Sequence, residues 1–328
     1  MTAQRIDEGW TSSRVGELVD ELDDEIELKF NALRADDPPE VLYHYTTTSG
    51  LRGILESGSL FMTDAFFLND QTEVVYGRDL AREVLAGFRS DKAEVQTFLQ
   101  HTVQRFDPLG PEGDGYRPFV ACFCSNGSLL SQWRGYAASA TGYALGLESA
   151  VLSNRAERLG YEAIGVVLEQ VEYDRRNQES IVRHAVDRVL GNFEQDLEIV
   201  AAADIGNLRV LYFNVLSTVL ADLFPRFKHP MFAEEREWRL LIRRLSDTET
   251  ALVRFREGSR YVIPYFPLDL RFKTGPQQGH LPLREIVHAP IAEPDLVKRS
   301  LRMFLRAHGY ADNEVIIKGS EIPLRQSL

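Results

Sequence analysis

The stretch Val41-Leu42-Tyr43-His44-Tyr45-Thr46-Thr47-Thr48-Ser49-Gly50-Leu51, followed by Gly58-Ser59-Leu60, decides the fold. Residues 41–45 form a short apolar and aromatic run, which reads as a strand. Thr48 or Ser49 then caps a short helix over residues 51–56, with Leu51, Ile54 and Leu55 on its apolar side, and Gly58 ends it. A second strand over residues 60–63 runs into a loop at residues 64–70. In strand alternation Leu42, His44 and Thr46 share one face, and Val41, Tyr43 and Tyr45 the other.

Working outward, the first fourteen residues read as a loose tail. Over residues 16–35, Leu18, Leu22, Ile26, Phe30 and Leu33 recur at helical spacing among acidic residues, and Asp36-Asp37-Pro38-Pro39 stops the pattern. This is an amphipathic acidic arm, residues 1–38, with a protein as its expected partner. Residues 39–328 read as one domain: helices at 72–88 and 92–106, a strand at 119–124, a helix at 129–138, strands at 142–147 and 162–173, and a helical insertion at about 176–228. Strands at 237–242, 261–266 and 285–288, a helix at 295–308 and a strand at 314–318 close it. Strands scattered among helices without regular alternation give an α+β fold.

Three clusters carry chemistry. His44 ends a strand ahead of a glycine-containing helix, where a ring can point into a cleft; a lone strand histidine is more often a structural one bonded to backbone. Glu235 and Glu237 sit two apart at the start of the 237–242 strand, where like carboxylates on one face gain nothing for stability unless something cationic or hydroxyl-rich lies between them. The plainer reading is a solvated edge with Arg236, Arg239 and Arg243 as surface partners. Trp133 and Tyr136 share a helix face, as core packing or as a platform for a flat ring, with Arg134 available to a phosphate. Asn69, Asp70 and Glu73 are either an acceptor-contacting loop or a turn in which Asp70 caps the next helix. Lys228 is a pyrophosphate candidate or a solvated lysine.

His44-Tyr45-Thr46 with Gly53-Ile54-Leu55 and Gly58 resembles the opening motif of ADP-ribosyltransferases, and Glu235-x-Glu237 resembles their Glu-x-Glu motif. The wider set, His-Tyr-Thr, Leu68-Asn69-Asp70 with Glu73, Cys122-Phe123, Trp133 with Tyr136, and Glu235-x-Glu237-Trp238-Arg239, is similar to a bacterial family catalogued as domain of unknown function 2971. The resemblance implies a mixed, split ADP-ribosyltransferase-like sheet with helical insertions and an N-terminal helical arm. It implies NAD as substrate, no metal, and a macromolecular acceptor, protein or nucleic acid, in a toxin or phage-defence setting. Glu237 would stabilise charge at the ribose C1′, Glu235 would serve the acceptor, and His44, Tyr45, Thr46, Arg134 and Lys228 would hold NAD. The central-strand tyrosine of the polymerase branch is missing here, so Phe123, Trp133 or Tyr136 would stack on nicotinamide.

Composition sets outer bounds. Thirty-seven Lys and Arg against 49 Asp and Glu give a net charge of −12, which opposes nucleic-acid binding over the whole surface. The two cysteines, Cys122 and Cys124, make no disulfide framework and fit a reducing cytoplasm. No run of about eighteen apolar residues marks a membrane span. Three other readings stand beside the transferase: a nucleotide-sensing module without turnover, a metal hydrolase built on His44, Asp64, Asp70 and Glu73, and a cysteine hydrolase using Cys122. The hydrolase lacks metal-ligand spacing, and a strand cysteine among apolar neighbours is usually inert.

Overall fold

A computed structural model describes residues 6, 8–33, 37–68, 72–106, 118–136, 142–153, 166–243, 250–258, 261–290 and 293–322. The chain divides into two units. One gathers Met1–Ala35, Asp70–Tyr116 and Glu172–Met231; the other gathers Asp36–Asn69, Arg117–Val171 and Phe232–Leu328.

The first unit is helical: α1 (Glu8–Leu33), and, numbering on past the sheet unit's α2, α3 (Thr72–Ala86), α4 (Ala93–Arg105), α7 (Arg175–Ile199) and α8 (Ile205–Leu223). The segment expected to be a separate arm is part of this unit. Leu18, Leu22, Ile26 and Phe30 are buried, as their spacing requires, and α1 packs on α7 and α8. Arg14 Nε donates to Asp196 Oδ2 at 2.9 Å, and the Tyr212 hydroxyl donates to the same oxygen at 2.6 Å, which ties α1 to both helices. The apolar span Ala202–Arg226 is long and apolar enough to cross a membrane, but 67% of its apolar window is buried inside the protein. It serves as the core of the helical unit, touching α1, α3, α4 and α7.

The second unit carries a mixed sheet, in keeping with the α+β expectation. Its strands are β1 (Val41–Thr47), β2 (Ser59–Asp64), β3 (Phe119–Cys124), β4 (Gly142–Glu148), β5 (Val166–Gln170), β6 (Glu237–Ile242), β7 (Arg254–Glu257), β8 (Val262–Asp269), β9 (Leu283–His288) and β10 (Ile316–Gly319). The spatial order is β10-β9-β4-β1-β3-β2-β8-β7, with β6 between β3 and β5. Only the β9–β10 pair is parallel among the described strands.

Helix α2 (Thr48–Ser57) joins β1 to β2. Thr47 caps it, its side chain accepting from the Gly50 amide, and Gly58 closes it at φ +68°, a conformation that favours glycine. Leu51, Ile54 and Leu55 of α2 meet Leu42, Leu60, Phe123, Leu145 and Trp238 in the main core. Helices α6 (Ser149–Ser153) and α9 (Pro294–Ala307) add Leu152, Leu301 and Leu305 to it. A smaller cluster on the opposite side of the sheet holds Tyr45, Cys124, Trp133, Ala144 and Val287, with Trp133 supplied by α5 (Leu130–Tyr136).

Candidate functional site: a fork in the sheet

Strand β6 covers one edge of β3 without a break, from Phe119 opposite Ile242 to Cys124 opposite Glu237. The other edge is shared. β1 reaches it at Tyr43 opposite Cys124, and β2 reaches it at Thr63 opposite Val120 and Asp64 opposite Phe119. Between those contacts β1 and β2 turn away, β1 staying with β4 and β2 with β8, so the sheet forks at Ala121, Cys122 and Phe123.

A carbonyl released from a ladder still needs a donor. His44 provides one: its Nδ1 lies 2.9 Å from the Cys122 carbonyl oxygen. A carbonyl can only accept, so Nδ1 carries the proton. Burial holds the imidazole pKa below its ordinary 6.5; the Cys122 bond opposes this, and the positive charge of Arg256 adds to it. The ring is therefore neutral at pH 7, and Nε2 presents a lone pair. That nitrogen has no hydrogen-bond partner among the described residues. Phe123 packs against the ring at 5.7 Å between centroids. The backbone bond that made a structural histidine the plainer reading is present, on one nitrogen.

Glu237 lies elsewhere. Tyr43, Cys124 and Glu237 are in register across three strands and share one sheet face, whereas His44, Phe123 and Trp238 take the other. The expected convergence of His44 and Glu237 on one pocket does not occur, because an odd step along the register moves a side chain to the opposite face. Glu237 is held by Arg239: Nε to Oε1 is 2.7 Å and Nη2 to Oε2 is 3.1 Å, a two-pronged pair. Glu237 is 3% exposed and Arg239 1%, so the solvated edge is not what forms either. Glu235 is buried in the 3-10 turn Pro230–Glu235, and Arg236 between the two glutamates takes φ +42°.

The remaining candidates scatter. Tyr45 is buried, accepting from the Leu129 amide and donating to the Asn126 carbonyl. Thr46 is buried beside Gly50, where an added Cβ would sit 2.0 Å from its hydroxyl. Trp133 is fully buried, edge-on to Tyr45 at 4.9 Å, and Phe123 is fully buried on the other face, so neither offers an open platform. Arg134 is exposed. Lys228 is buried in the helical unit, where its amide donates to the Glu172 carbonyl at 3.2 Å. Asn69 and Asp70, and the side chains of Glu73 and Tyr136, lie outside the described residues.

Asp64 caps a 3-10 turn through the Phe66 amide, and no group of three or more His, Cys, Asp or Glu is placed to hold a metal among the described residues. Cys122 is partly exposed and Cys124 buried, and neither is in a disulfide. One arginine read as a surface partner is buried, and another carried no reading at all. Arg239 stands two residues after Glu237 on the same strand face and pairs with it in the interior; Arg256 gave no signal, because the Arg254–Glu257 strand is exposed throughout.

No curated protein and no solved structure shows a significant match to the chain. Residues 132–240 match the model of a family described as "Protein of unknown function (DUF2971)", a stretch that includes Trp133, Lys228, Glu235, Glu237 and Arg239 but not His44, and that supports this family over its length.

Proposed function

We propose that the chain binds a nucleotide in the fork of its sheet, with NAD the ligand that the ADP-ribosyltransferase resemblance suggests. The observation that carries this reading is the protonation geometry of His44. A neutral ring anchored through Nδ1–H leaves Nε2 able only to accept, and the ligand group that satisfies it is a donor such as a ribose hydroxyl. Anchoring by the strand carbonyl also orients the ring before ligand arrives, which lowers the cost of binding. Two cysteines outside any disulfide fit a cytoplasmic setting.

The test is thermal unfolding with and without millimolar NAD. A ligand bound by the native state alone raises the melting temperature by mass action. His44→Asn keeps a side-chain N–H close to the Nδ1 position and removes Nε2. It should fold and lose most of the NAD-induced shift. A wild type unmoved by NAD, or an Asn variant that keeps the full shift, would refute the reading.

ADP-ribosyl transfer is the second reading, and one observation favours it: the positive φ of Arg236, between two buried glutamates. Strained non-glycine backbone collects at functional sites. In that chemistry the C1′–N bond breaks, nicotinamide leaves with the electron pair, and an acceptor nucleophile bonds C1′ after giving its proton to Glu235. Glu237, opposite His44 and engaged by Arg239, would first have to leave its present partner. Nicotinamide release from labelled NAD in the presence of cell extract separates transfer from binding alone, and nuclease or protease digestion then identifies the acceptor.

A further inference from the structure

We propose that the helical unit carries a binding site for a phosphate-bearing small molecule, in the groove between α1 and the first half of α7. Nothing in it depends on the fork of the sheet. The groove has a volume of about 360 Å³, inside the range of small-molecule sites, about 300–1,000 Å³. On α7, Arg176, Ser180, Arg183 and Asp187 follow at helical spacing and share one face, and Lys29 of α1 lines the same groove. Cations on a helix surface commonly stand beside acids, and others in this unit do. Arg175 holds Glu179 at 2.8 Å and Glu83 at 2.6 Å, and Arg188 holds Glu25 at 2.7 Å. Lys29, Arg176 and Arg183 have no ion pair and no side-chain hydrogen bond among the described residues.

The charges in the groove do not cancel. Of its two acids, Glu179 is neutralised by Arg175, so three cations face Asp187 alone and leave an excess of two positive charges, in a chain whose net charge is −12. His184 is turned to Glu25, its Nε2 3.2 Å from Oε2. A phosphate monoester carries about −1.5 to −2 at pH 7 and matches that excess, whereas a single carboxylate does not. The Arg183 guanidinium lies over the Phe88 ring at 5.9 Å, a contact that steadies the group and leaves its N–H donors for a phosphate. The Ser180 hydroxyl can donate to another phosphate oxygen. Every lining residue is polar or charged, so the groove recognises the anionic group and leaves the rest of the molecule in water.

Calorimetric titration with inorganic pyrophosphate and with citrate, in metal-free buffer at physiological salt, tests this on the wild type, Arg183→Gln, Arg183→Lys, Lys29→Gln and His44→Asn. Arg299→Gln on α9 is a control of equal charge change. Pyrophosphate should bind the wild type about tenfold or more tightly than citrate, an anion of similar charge without phosphate geometry. Arg183→Gln and Lys29→Gln should each weaken pyrophosphate about threefold to tenfold, the scale of one charged contact at a partly exposed site. Arg183→Lys should lose less than Arg183→Gln, since a point charge replaces the planar donors. His44→Asn and Arg299→Gln should bind pyrophosphate as the wild type does. A wild type that binds no pyrophosphate, or binds citrate equally well, would overturn the proposal. Pyrophosphate affinity unchanged in both Arg183→Gln and Lys29→Gln would overturn it too, and a loss in His44→Asn instead would place the phosphate at the fork.

Discussion

His44 and Glu237 were paired by motif, yet the sheet treats them in opposite ways. His44 sits where strands part, with one nitrogen tied to the Cys122 carbonyl and the other presenting a lone pair. Glu237 sits where strands are fully paired, both carboxylate oxygens engaged by a buried guanidinium. A polar group at a break in a ladder has capacity left for a ligand, whereas one inside an intact ladder with a matched counter-ion has its capacity spent on the fold. The difference separates recognition from stability on a single sheet.

The comparison breaks most visibly through Glu237. Removing one partner of a buried ion pair strands the other charge and costs about 3–5 kcal/mol. Glu237→Gln should therefore lower urea resistance by that order, and Glu237→Gln with Arg239→Met should recover part of it. A Gln variant within about 0.5 kcal/mol of wild type would mean that the carboxylate is available for chemistry after all.

Trp133 sharpens the same contrast. Fully buried against Tyr45, its replacement by Ala should cost about 3–5 kcal/mol of stability through the cavity it leaves. Were it a nicotinamide platform, the loss would appear in NAD affinity and little in unfolding.

How much of this was legible in sequence depends on the range of the contacts. The buried stripe of α1 follows from the spacing of Leu18, Leu22, Ile26 and Phe30, and the β1–α2–β2 unit from apolar runs, a hydroxyl cap and Gly58. The cap is Thr47 rather than Thr48 or Ser49, a shift of one residue within a run of equivalent hydroxyls. The fork was not legible. It arises because β1 and β2 meet β3 at opposite ends, which is a property of non-local register, and register also decides which face Glu237 takes. The β7 strand escaped because Arg-Phe-Arg-Glu on an exposed edge has no buried face to impose alternation.

A smaller effect is expected from pH. With a folded pKa below 6.5, His44 binds fewer protons in the native state than in the unfolded one, so its contribution is complete above pH 6.5 and is lost as pH falls below that value. Wild-type stability should decline more steeply than that of His44→Asn on acidification from pH 6.5. Parallel slopes would place the folded pKa at its ordinary value and remove the basis for a neutral acceptor at Nε2.

The most direct measurement is the ¹⁵N spectrum of the His44 imidazole at pH 7, with and without NAD. A neutral ring protonated at Nδ1 is expected, whose Nε2 resonance moves on addition of NAD as a ligand hydroxyl donates to it, while Nδ1 stays bound to Cys122. A ring already charged, a proton on Nε2, or an Nε2 resonance unmoved by saturating NAD would contradict the assignment of the fork as the ligand site.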